Sequence, residues 1–194
     1  MLELNALEKK MSQDSSIPGY QTLERFMKYT YVAISLRVFG AAFDAVTSTS
    51  PECRKELSDW EEGRRVALGV LPFGPHVTLE KKNGVVKMIG TGLKDPHVSI
   101  LFKNLDSAMM VYTTYMGVVQ ASGENRALIK GDNGKAMEVL RILDIIMIYL
   151  LPRIVLNKNF RRPPKFGFSQ YVTMMLIYAK LGPALVKTFI PGGR

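Results

Sequence analysis

Only two residues, Asn83 and Gly84, separate the alternating segments HVTLEKK and VVKMIG. A two-residue type I′ turn needs positive φ at both central positions, and Asn-Gly adopts that geometry most easily. The pair predicts an antiparallel hairpin, which commits this part of the chain to a sheet. RVALGVLP before it and HVSILF after it share the period of two and read as further strands. In HVSILF, Val98, Ile100 and Phe102 fall on one face, while Ser99 and Leu101 fall on the other, so both faces are expected to be at least partly covered. RALIK supplies a fifth short strand.

Helical periodicity surrounds these strands. Leu23, Phe26, Met27, Ile34, Val38 and Phe43 recur at helical spacing in YQTLERFMKYTYVAISLRVFGAAFDAV, which predicts one long helix with a bend near Gly40. Ser50 followed by Pro51 is an N-cap with proline at the first helical position. Asn104 or Asp106 can cap a helix that carries Leu105, Met109, Tyr112 and Met116 on one side. After Gly131-Asp132-Asn133-Gly134 comes KAMEVLRILDIIMIYLL, apolar except for a narrow stripe of Glu138, Arg141 and Asp144, and this helix is expected to be mostly buried until Pro152 ends it. The last section is a basic, proline-rich loop and an apolar helix broken near Gly182-Pro183.

Charge divides the chain differently from hydrophobicity. The net charge is +9, yet residues 1–150 hold 18 basic and 17 acidic side chains, and no acidic residue follows Asp144. The basic character therefore belongs to the tail. The single cysteine, Cys53, excludes an internal disulfide framework and a cysteine-based zinc site, and points to a reducing, cytoplasmic setting. The apolar runs Ile145–Leu151 and Phe166–Ala179 fall short of the ~20 residues a membrane span needs, so the chain reads as soluble or peripheral to a membrane. His76 and His97 lack metal-pair spacing and a neighbouring nucleophile, Asp106 and Asp132 suit caps and turns, and no phosphate loop is present. No enzymatic constellation, metal or cofactor is expected.

HVSILFKNLDSAMMVY and ALIKGDNGKAMEVLRIL carry a resemblance to the sterol carrier protein 2 family of lipid-binding domains, over roughly Arg64 to Leu151. The second segment resembles the family's strand, Lys-x-Gly-Asp and small-residue helix signature. Between them MGVVQASGENRAL lacks the family's usual Gly-Lys turn and aromatic residue. The resemblance implies an α/β fold of the α+β type: a five-stranded, mainly antiparallel sheet covered by helices, with an apolar tunnel between them and extra N- and C-terminal helices. The expected organisation is a flexible leader (1–18), an N-terminal helical extension (19–63), a lipid-binding core (64–151) and a basic C-terminal helical tail (152–194).

The residues chosen to line a tunnel are Ile100, Phe102, Met109, Tyr112, Met116, Met137, Leu140 and Leu143, all of which suit an ordinary core equally well. Eleven methionines favour an adaptable lining. The expected function is non-enzymatic binding and transfer of a lipid (fatty acyl chain, sterol or isoprenoid), with Arg153, Lys158, Arg161, Arg162 and Lys165 docking the chain to an anionic membrane surface. Two alternatives stand beside it: an accessory subunit that presents a lipid in isoprenoid quinone or other lipid biosynthesis, and a structural interaction module without ligand. A homodimer is a further option. Nucleic acid is not an expected partner, since the tail lacks stacking aromatics in a recognisable module.

Overall fold

The computed structural model describes residues 18–113, 115–151 and 167–189, with side chains from residue 23 and without those of 184 and 187–189. The leader up to residue 17 and the docking set Arg153, Lys158, Arg161, Arg162 and Lys165 lie outside the described residues.

Helix α1 (Pro18–Thr49) and the short α2 (Pro51–Leu57) lead into the sheet, which is made of β1 (Arg65–Val70), β2 (His76–Lys82), β3 (Val85–Thr91), β4 (Val98–Phe102) and, after two helices, β5 (Ala127–Lys130). Those two helices are α3 (Leu105–Tyr112) and α4 (Val118–Gly123); α5 (Asn133–Leu150) and α6 (Phe168–Phe189) complete the chain. The strand order is β3-β2-β1-β4-β5. Only the central β1–β4 pair is parallel, with Leu68 opposite Ile100, and the others are antiparallel. The mainly antiparallel five-stranded sheet with helices is therefore present.

The local signals that predict this order act as their chemistry requires. Asn83 and Gly84 sit at φ 55° and 74°, and the Glu62 carboxylate accepts both of their amides at 2.9 and 3.0 Å. Ser50 caps α2 with Pro51 behind it. Asn104, not Asp106, caps α3 by accepting the Ser107 amide at 2.8 Å, and Asp132 caps α5 through the Lys135 amide at 3.1 Å. Gly131 has φ +104°, and a Cβ there would collide with the His97 carbonyl. The glycine of the Lys-x-Gly-Asp signature thus serves both a left-handed turn and a close approach to the start of β4.

One face of the sheet, carrying Val66, Leu68, Val70, Leu79, Ile100 and Phe102, is buried in the main hydrophobic cluster. On the other face Ala67, Ser99 and Leu101 are also buried. Helix α1, expected as an extension, contributes Val32, Leu36, Phe39, Phe43 and Val46 to the same cluster, so it forms a layer of the core. It continues unbroken through Gly40, whose missing side chain makes room for Met88 of β3. Leu23–Thr49 is long and apolar enough to cross a membrane by length and composition, but more than half of its apolar 18-residue window is buried inside the protein. A core helix meets the same criterion.

Helix α6 corrects one expectation: it is not broken at Gly182-Pro183 but runs through Pro183 to Phe189. Proline removes one helical donor, while Ile177, Leu181 and Leu185 keep packing against the core on both sides of it. Lys180 Nζ donates to Ser48 Oγ at 3.1 Å, and Tyr178 Oη donates to the Leu150 carbonyl at 3.0 Å, which ties α6 to α1 and α5.

Candidate functional site

The order of elements leaves a seam where the sheet meets its helical cover. Val111 and Tyr112 of α3 and Val118 of α4 descend on it from above, Leu68, Ile100 and Phe102 rise from β1 and β4, and Phe39 and Leu143 close it from α1 and α5. These eight residues enclose a cavity of about 10 Å³. Seven are apolar, and Tyr112 brings the lone polar side chain. Its ring meets Phe39 at 5.2 Å between centroids and Phe102 edge-on at 5.8 Å, so three aromatic rings from three elements fill the middle. Burial pushes the Tyr112 phenol up from its ordinary value, so it remains a neutral hydroxyl at physiological pH.

Of the eight residues expected to line a tunnel, Ile100, Phe102, Tyr112 and Leu143 border this cavity. Met116 and Leu140 are buried in the surrounding cluster, and Met109 packs partly buried against it. Met137 lies outside it, 42% exposed on the first turns of α5. The reason is helical spacing: Met137 shares a side with Arg141 and Asp144, four and seven residues on, while Val139, Leu143 and Ile146 form the buried side. The sequence reading misses Phe39, Leu68, Val111 and Val118. Phe39 shares a helical stripe with Val32, Leu36 and Phe43, and Leu68 alternates with Val66 and Val70, so periodicity marks both as core positions. It does not mark their meeting with residues far later in the chain.

Helix α3 is a short part of the cover. It is eight residues long and is held to α1 by an ion pair, Lys28 Nζ to Asp106 Oδ1 at 2.7 Å, and by the Tyr31 hydroxyl donating to the Tyr112 carbonyl at 3.3 Å. The hydrogen bond to Asp106, and then that to Glu24, raise the Lys28 pKa. Leu105, Met109 and Met110 of α3 are only partly buried against the core. Unbranched thioethers there can change rotamer at little cost.

The polar residues outside the seam have structural tasks. Arg64 is buried with its guanidinium 5.0 Å from the Trp60 ring centroid and paired to Glu138. Lys81 is buried beneath the end of α2, donating to the carbonyls of Leu57 and Trp60 at 2.9 and 2.6 Å, where a cation complements the helix C-terminus. His97 accepts the Arg65 amide through Nδ1 at 3.1 Å. His76 packs over Gly69, and burial lowers its pKa. The amides of Lys135 and Gly134 hold the Asp132 carboxyl below the usual range. Burial, reinforced by Glu52, pushes the Cys53 thiol up to about 12, the opposite of an activated nucleophile. Among the described residues no group of three His, Cys, Asp or Glu could hold a metal ion.

No family model matches the chain, and no curated protein matches it. Among solved structures it is similar to a ubiquinone synthesis protein described as UbiJ-SCP2, with 12% identity over 56% of this chain and 91% of that one and a TM-score of 0.43. A crystal structure of sterol carrier protein 2 shows 18% identity over 55% of this chain and 88% of that one, with a TM-score of 0.42. A palmitated sterol carrier protein 2-like protein from Aedes aegypti shows 14% identity over 55% and 90%, with a TM-score of 0.40.

Proposed function

We propose that this chain binds a hydrophobic lipid between the sheet and its helices and transfers it without chemical conversion. The observation that carries the proposal is the seam itself: an apolar lining drawn from six elements, a neutral tyrosine hydroxyl as its one polar side chain, and a short methionine-bearing cover. Such a site can hold an alkyl or ring system by exclusion of water, at about 0.8 kcal/mol per buried methylene, and offers nothing to attack it. The cavity of about 10 Å³ holds at most one water, whereas small-molecule sites run from roughly 300 to 1,000 Å³. Binding therefore requires α3 and α4 to move outward, with Met109, Met110 and Met116 repacking around the guest. The basic residues Arg153, Lys158, Arg161, Arg162 and Lys165 bring the loaded chain to an anionic membrane, where a ligand that leaves water slowly can be exchanged.

Mass spectrometry of a solvent extract of natively purified protein, combined with uptake of cis-parinaric acid, tests this. Recovered lipid and saturable uptake support it, and the identity of the lipid separates an acyl or sterol carrier from a subunit that presents an isoprenoid to biosynthetic enzymes. No lipid and no uptake refute it. A second reading, a structural interaction module without ligand, is favoured by the same small cavity, because it requires a filled core and no opening. It predicts that neither lipid nor probe changes thermal stability.

A further inference from the structure

Helix α6 packs against the protein through Met174, Ile177, Leu181 and Leu185, spaced three or four residues apart, with Ile177 fully buried. At 100° per residue, the opposite side carries Phe168, Val172, Met175, Leu176, Ala179 and Val186. The exposed fractions are 86% for Phe168, 68% for Met175 and 51% for Leu176. A surface helix normally turns polar groups to solvent there. This one is apolar on both sides over a length of about 33 Å.

Helix α1 repeats the pattern. Its Val32, Leu36, Phe39 and Phe43 are in the core, while Leu23, Phe26, Met27 and Ile34 lie on the opposite side and are exposed, Phe26 at 65%. By the same helical rotation Ser48 is on that outer side, and it is the residue that Lys180 grips at 3.1 Å. Lys180 thereby fixes α6 at the C-terminal end of α1, 14 residues beyond the last member of the exposed α1 strip.

Charge selects the occupant. Helix α6 contains Lys180 and Lys187 and no carboxylate; none occurs in any side chain after Asp144. A second copy applied through the same face would find no carboxylate on α6 to meet its lysines. An anionic bilayer satisfies both features. An in-plane helix buries its apolar side about 5–10 Å into the headgroup boundary and keeps its cations at the phosphates.

We propose that the outward face of α6 is the surface by which the folded protein inserts into an anionic membrane interface. It rests on the lipid-carrier reading only in giving the cargo a place to be exchanged. None of the outward α6 residues borders the cavity, so the two ideas fail separately.

The test uses the full chain and vesicles of phosphatidylcholine with or without phosphatidylglycerol. Wild-type protein is expected to sediment with the anionic vesicles, and the Met175→Glu/Leu176→Glu variant to lose roughly tenfold or more in partitioning, with circular dichroism and cis-parinaric acid uptake unchanged. In Val172→Trp, the new indole should shift to the blue on binding and be quenched by brominated acyl chains, against the constant signal of buried Trp60. Val172→Trp also decides the matter should the double variant not fold. Equal vesicle binding by the folded double variant and wild type, or an introduced indole that neither shifts nor is quenched, overturns the proposal. So does a wild-type dimer in light scattering that the double variant converts to monomer without change in vesicle binding, because a second copy is then the occupant. Face-dependent vesicle binding in a protein that takes up no acyl probe supports the insertion surface and counts against the carrier alone.

Discussion

Replacing Leu143 with alanine perturbs the protein at the point where core packing and proposed ligand space coincide. Leu143 is 4% exposed and borders the existing cavity. Removing three carbon groups forfeits about 2.4 kcal/mol of transfer free energy at ~0.8 each. The neighbours, Ile100, Phe102 and Tyr112 among them, belong to a rigid sheet face and an aromatic cluster and can relax only partly. The residual void adds ~1–2 kcal/mol at 24 cal/mol per Å³, for a total near 3–4 kcal/mol. For a chain of this size each kcal/mol is worth about 2–4 °C in Tm, so a fall of roughly 6–16 °C is expected, with a matching shift in urea midpoint at unchanged m-value. The enlarged cavity then has a second consequence. A short fatty acid such as lauric acid should enter it with less outward movement of α3 than in the wild type, and at a hundredfold excess over Kd should return about 2.7 kcal/mol. Urea unfolding followed by circular dichroism, with and without the acid, reads both effects. A loss below ~1 kcal/mol would refute the packing argument; a full loss with no recovery by any acyl ligand would refute the seam as a ligand site.

Three further outcomes follow from buried or half-buried polar groups. Glu138→Ala leaves the Arg64 guanidinium buried and unpaired from its carboxylate and should cost ~3–5 kcal/mol in chemical denaturation, while Arg64→Met/Glu138→Leu should come close to wild type. Asp144 has its pKa raised by burial; the folded state therefore holds that proton more tightly than the unfolded chain, and its contribution to stability declines as pH rises from the ordinary carboxylate range through the raised value. Asp144→Asn should accordingly be more stable than wild type at pH 7, with the advantage vanishing below the ordinary carboxylate pKa; an advantage that persists at low pH would contradict the desolvation origin. Cys53, fully buried and with its thiol pushed up to about 12, should resist iodoacetamide at pH 8 in the native protein and react at once in urea, as read by mass spectrometry.

What is legible in the sequence is what short-range chemistry determines. Asn83-Gly84, Ser50-Pro51, Asn104 and Asp132 each satisfy local backbone demands, and they delimit the hairpin and three of the helices within a residue or so. The alternation of Val66, Leu68 and Val70 marks an inward strand face wherever the strand ends up. The seam is half legible. Ile100, Phe102, Tyr112 and Leu143 come from one stretch rich in apolar residues, whereas Phe39 and Leu68 enter it only through the tertiary path of α1 and the parallel β1–β4 pairing. Met137 is legible as an outward position: it shares a side of α5 with Arg141 and Asp144, four and seven residues on, opposite the buried Val139, Leu143 and Ile146. The unbroken course of α6 through Pro183 is hidden from local sequence, because the packing of Leu181 and Leu185 outweighs a local breaker.

The parallel pairing of β1 with β4 also has a temporal side. When Val70 emerges from the ribosome, its partner Phe102 is still inside, and at about 5–20 residues per second the interval before it follows lasts roughly 2 to 6 seconds. During that time the β2–β3 hairpin can form and cover one edge of β1, but the other edge, flanked by Ala67 and Leu68 on opposite faces, stays open. A nascent chain of this design is thus most vulnerable to intermolecular strand pairing in the window between its hairpin and its fourth strand. A pause while β1 is outside the ribosome and β4 still inside should lower the yield of soluble protein more than the same delay placed after β5 has emerged.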